Sequence, residues 1–87
     1  MHDFMLIAYG DTGSTSLTIT YANWLVVDET CELDLINADE LAPEEAAEVR
    51  DVVGAIRLSD EATRTELLHV LKVAAGSEQG LVILPAA

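Results

Sequence analysis

The apolar residues of this chain change period once, close to residue 40, and that change limits the folds open to it. Phe4 to Tyr9 form a continuous apolar run of strand length, closed by the turn formers Gly10, Asp11, Thr12, Gly13 and Ser14. From Thr15 onward, Leu17, Ile19 and Tyr21 alternate with Ser16, Thr18 and Thr20, the period of a half-buried strand. These two segments are expected to pair as a hairpin. Trp24 to Val27 read as strand again, and beyond Asp28 and Glu29 the residues Cys31, Leu33 and Leu35 alternate with Glu32 and Asp34. A three-stranded meander is therefore expected over roughly the first forty residues.

The period then becomes helical. Asn37, Ala38, Asp39 and Glu40 lead to Pro43, which suits the first turn of a helix because its missing N–H has no partner there. Val49, Val53 and Ile56 recur at i, i+4 and i+7 and define a buried stripe, with Glu44, Glu48 and Asp51 on the opposite side. Ser59 and Asp60 are N-cap candidates for a second helix, with Leu67, Leu71 and Ala74 as its core stripe and Gly76 as its stop. Leu81 to Leu84 read as a short buried strand ended by Pro85. The order βββααβ gives an α+β fold, one small domain over residues 1–87 with an antiparallel sheet of about four strands and two helices on one face.

Composition narrows the function. At eighty-seven residues one domain is expected and not a two-domain enzyme, and an apolar share of 51% is enough for a core. Sixteen Asp and Glu against four Lys and Arg give a net charge of −12, so nucleic-acid backbones and anionic membrane surfaces would repel the protein. Direct nucleic-acid or membrane binding is not expected. A single cysteine cannot make an internal disulfide, and neither a secretory signal nor an apolar run of about 20 residues is visible, so a cytoplasmic location is expected.

Few residues suggest chemistry. Asp11, Gly13, Ser14 and Thr15, between two strands, resemble the phosphate-binding hairpin of the actin, sugar-kinase and heat-shock ATPase superfamily, which would imply a cradle for ATP phosphates. That superfamily closes two domains on its nucleotide, each longer than this whole chain, and no lysine follows the glycines as in a Walker loop. Asp11, Thr12, Gly13 and Ser14 after an apolar strand also resemble the active-site loop of aspartic proteases, which would imply two aspartates sharing a proton. Only ten residues precede the loop, and no glycine-rich flap follows it. The loop is expected to be a hairpin turn in which Gly and Asp supply the backbone angles. His2 and His69 are far apart, and with Cys31 they do not make the four-ligand set of a zinc site. His69 is expected at the surface beside Glu66 and Lys72, and Cys31 as an inert core thiol. No catalytic set, metal or cofactor is implied.

The carboxylates are clustered. Asp28, Glu29, Glu32, Asp34, Asp39, Glu40, Glu44, Glu45, Glu48 and Asp51 are ten of the sixteen, with Arg50 the only base among them. Glu44 and Glu45 suit the positive end of a helix dipole, but Glu48 and Asp51 have no such local reason. Spaced by about 6 and 4.5 Å along a helix, Glu44, Glu48 and Asp51 approximate the ~3.4 Å phosphate repeat of a DNA strand taken every one to two steps. The expected function is a non-enzymatic inhibitor or sequestering protein for a basic, nucleic-acid-binding partner. It would bind through Asp28, Glu29, Glu32, Asp34, Glu40, Glu44, Glu48 and Asp51. Nucleic-acid mimics, anti-CRISPR proteins and immunity partners of nuclease toxins are analogous in size and charge. The alternative is a small homodimeric structural or adaptor protein whose acidity provides only solubility, with Leu81 to Leu84 pairing across a two-fold axis and Tyr21 or Trp24 as anchors.

Overall fold

The computed structural model describes residues 2–86. The fold is α+β: strands β1 (Asp3–Gly10), β2 (Gly13–Ile19), β3 (Glu40–Leu41) and β4 (Leu81–Ala86) form one antiparallel sheet in the order β2-β1-β4-β3. Helices α1 (Tyr21–Thr30), α2 (Pro43–Ala55) and α3 (Glu61–Ala75) cover one face. The expected hairpin forms, with Gly10 opposite Gly13 and Phe4 opposite Ile19. Phe4, Leu6, Ala8, Leu17 and Ile19 point into the core beneath Val49 and Val53 of α2 and Leu67, Leu71 and Ala74 of α3. The other sheet face is open to solvent, and Met5, Tyr9 and Leu84 are exposed there.

The expected meander stops at two strands. Trp24 to Val27 lie in α1, and Cys31 to Leu35 form a loop, so the helices number three. A strand would send Trp24 and Val27 to opposite faces, whereas a helix puts residues three apart on one side, and both are fully buried. Thr20 supplies the cap, its hydroxyl accepting the Asn23 N–H at 3.2 Å. The Trp24 indole N–H donates to the Leu35 carbonyl at 3.1 Å, so the buried ring has its polar edge satisfied. The Asn23 side-chain oxygen accepts from the Ser59 N–H and hydroxyl, fastening α1 to the segment between α2 and α3.

Helix α2 begins as expected at Pro43. Ala42 cannot cap it with a side chain, and the reciprocal contact serves instead, the Ala42 N–H donating to Glu45 Oε1 at 2.9 Å. At the other end the Arg64 guanidinium donates to the carbonyls of Val53, Gly54 and Ile56, satisfying acceptors a helix terminus leaves open. One of the chain's few cations is therefore committed to internal support.

The final strand also differs from expectation. β4 runs through Pro85 and lies inside the sheet, between β1 and β3, so Leu81 to Leu84 are not an edge available to a second copy. Ile83 donates its N–H to the Asp39 carbonyl on the β3 side at 2.8 Å. Two residues on, Pro85 faces the same way past the end of the two-residue β3, where no donor is needed. Gly80 sets up this strand with φ of +69°, packed so closely on the Leu41 carbonyl that a Cβ would overlap it.

Candidate functional site

The carboxylate cluster divides into three groups in space. Glu32, from the loop after α1, and Glu48 and Asp51, from α2, come together around an open groove of about 420 Å³ whose other walls are Thr30, Cys31, Leu33 and Val52. No base lines it. Glu48 and Asp51 are exposed because Val49 and Val53 turn the opposite side of α2 into the core, which is the helical division the sequence implied. Glu44, one turn before Glu48, is exposed as well, and Glu29 is exposed near the C-terminus of α1.

Two of the expected binding carboxylates hold the loop itself. Asp28 is half-buried, and its Oδ1 accepts the Leu35 N–H at 2.8 Å, drawing the loop back onto α1. Asp34 accepts the side-chain amide of Asn37 at 3.1 Å and its backbone N–H at 3.4 Å, a local turn. Glu40 lies elsewhere. It is exposed opposite Val82 in the β3–β4 pair, while its neighbour Leu41 is buried under the helices, so Glu40 belongs to the open sheet face.

Cys31, the C-cap of α1, sits in the groove wall and is half-buried instead of lying on a strand face. Burial raises its thiol pKa above the ordinary value, and the neighbouring charges of Asp28 and then Glu48 raise it further. Each makes a thiolate more costly, so the neutral thiol is favoured and the group is a poor nucleophile. The sequence offered Cys31 only as a core residue. Its position beside two carboxylates depends on the loop folding back on α1, which nothing in its local pattern signals.

Asp11 lies in the hairpin turn, and it shares an open cleft of about 640 Å³ with Tyr9, His69 and Lys72 near the end of α3. His69 is exposed, as its place on the polar side of the helix implied. Among the described residues, no group of three or more His, Cys, Asp or Glu side chains is placed to hold a metal ion. Among the same residues no helix is long and apolar enough to cross a membrane. No family model matches the chain, and neither a curated protein nor a solved structure is significantly similar to it.

Proposed function

We propose that this chain is a non-enzymatic acidic protein that inhibits or sequesters a basic partner whose own ligand is nucleic acid. The docking surface is the groove edged by Glu32, Glu48 and Asp51, extended by Glu44 and Glu29, with Asp28 and Asp34 shaping the loop that carries Glu32. The observation that supports it is the convergence of carboxylates from two separate segments on one groove without a base in its walls. Among the described residues the one ion pair, Arg64 with Glu61 at 3.0 Å, lies elsewhere, so none of these carboxylates is held in a contact pair with Lys or Arg there. A cationic partner would find uncompensated negative charge there, which speeds encounter and makes affinity depend on salt.

The test is a pull-down from lysate of the source organism at ~50 mM and ~500 mM salt, over which the screening length falls from about 14 Å to about 4 Å. The expected partner is retained at low salt, released at high salt and competed away by DNA or RNA. Reversing Glu44, Glu48 and Asp51 to Lys is expected to abolish capture with the circular-dichroism spectrum unchanged. Capture that survives the reversal in a folded protein would overturn the proposal.

The exposed Met5, Tyr9 and Leu84 on the open sheet face favour a second reading, a homodimeric or adaptor protein in which the carboxylates serve solvation. A stable dimer indifferent to the same triple reversal would support it.

A further inference from the structure

The two edges of the sheet are built differently. At the β3 edge the strand has two residues, Asp39 and Glu40 place charge beside it, and Pro85 removes a donor from the exposed stretch of β4. These are recognised means of stopping strand-to-strand association. The β2 edge has none of them. β2 runs for seven residues, Gly13 to Ile19, with no charge and no proline, and among the described residues its only strand partner is β1.

The hydrogen-bond parity of the sheet settles which groups β2 turns outward. Ile83 donates towards Asp39 and β3, so in the alternating antiparallel pattern Val82 and Leu84 bond to their β1 partners Ile7 and Met5. In β1, Ala8, Leu6 and Phe4 then bond to Thr15, Leu17 and Ile19 of β2. The backbone N–H and C=O groups of Ser14, Ser16 and Thr18 are left facing away from the sheet. Among the described residues none of these groups takes part in a turn, loop or cap backbone bond, and no strand lies on their side of β2.

We propose that β2 is a self-pairing edge: two copies join antiparallel about a two-fold axis at Ser16, making a continuous eight-stranded sheet. In this register Ser16 faces Ser16 of the second copy and Ser14 faces Thr18, so all three outward residues exchange both backbone bonds with their counterparts. The sequence is self-complementary in it. Hydroxyl side chains meet hydroxyl side chains on the open face, and Thr15 meets Leu17 on the helix-covered face, a favourable set of cross-strand neighbours. Charge permits a second copy at this place: each chain carries −12 and the two copies repel overall, yet no charged residue lies between Thr12 and Val27, so pairing here opposes no carboxylates directly. The acidic groove is left free, and this inference stands apart from the proposed function.

Sedimentation equilibrium of the full chain from about 10 μM to about 1 mM should show a monomer–dimer equilibrium. Dimerisation should strengthen between ~50 and ~500 mM salt, because screening relieves repulsion between the two net charges. Ser16→Pro removes an outward N–H that the monomer does not use, and should weaken the dimer at least about tenfold while the monomer stays folded. In a Cys31→Ala background, Ser16→Cys should oxidise to a covalent dimer. Ser14→Cys should not, because its two copies would lie about 14 Å apart, beyond disulfide reach. A monomer throughout the concentration range, a dimer unaffected by Ser16→Pro in a folded chain, or equal cross-linking at residues 14 and 16 would each overturn the proposal. So would a monomer whose β2 edge takes up only foreign extended peptides.

Discussion

From Thr12 to Val27 the chain has no charged residue; from Asp28 to Asp51 it has ten carboxylates and one base. The first region supplies most of a sheet edge and the start of α1, and the second the loop, β3 and α2. The boundary falls inside α1, whose N-terminal half lies in the uncharged region and whose last turn begins the acidic one. If both proposals hold, segregation of this kind would give one small molecule two surfaces with opposite responses to salt. Contacts of the acidic side with the proposed cationic partner would weaken as salt rises, whereas the proposed association of like-charged copies along β2 would strengthen.

The largest effects are expected where the two regions are joined. Trp24→Ala should destabilise the protein by about 3–5 kcal/mol, because it empties a fully buried site and leaves the Leu35 carbonyl without its indole donor. Chemical denaturation would read this, and a domain of this size could then fail to fold at ambient temperature. Asp28→Ala should cost about 1–3 kcal/mol through loss of the Leu35 N–H acceptor. Asp28→Asn, which keeps a carbonyl oxygen in place, should cost less by the same measurement.

Smaller changes sharpen the contrast. Glu48→Gln should raise stability by about 0.2–0.5 kcal/mol at low salt by relieving repulsion with Glu44 one turn away, and the gain should vanish at ~1 M salt. The same substitution should move the alkylation midpoint of Cys31 to lower pH, since the Glu48 charge helps raise the thiol pKa. Because that pKa is higher in the folded than in the unfolded chain, its stabilising contribution is complete below the unfolded value and is lost as pH rises through the folded one. Urea titrations on the alkaline side should show that loss, and Cys31→Ala should remove it. Ser16→Glu should change monomer stability by no more than about 0.5 kcal/mol, since the side chain is exposed, while placing like charges at the proposed two-fold axis.

Local pattern carried much of this architecture. The apolar run at Phe4 to Tyr9, the turn formers after it and the alternation around Leu17 and Ile19 determined the hairpin. The spacing of Val49 with Val53, and of Leu67, Leu71 and Ala74, determined α2, α3 and the faces they bury, and with them the exposure of Glu44, Glu48 and Asp51. Those signals are legible because each is a repeat read within one element, where burial on one side and solvent on the other fix the period. Trp24 to Val27 misled because a short apolar run rich in β-branched and aromatic residues suits a strand and a buried helix equally. Long-range contacts decided between them: the indole bond to Leu35, the Asn23 bonds to Ser59 and the Asp28 bond to Leu35 all join positions with no local relation. The sheet order was decided at the same level, since whether β4 pairs beside β1 depends on how the whole helix layer closes over the sheet. The sequence by itself therefore determined an acidic α+β chain with a hairpin and two amphipathic helices. Only the tertiary structure decided which carboxylates share a groove, which ones hold a loop and which strand edge stays open, because those relations exist only between segments brought together by the core.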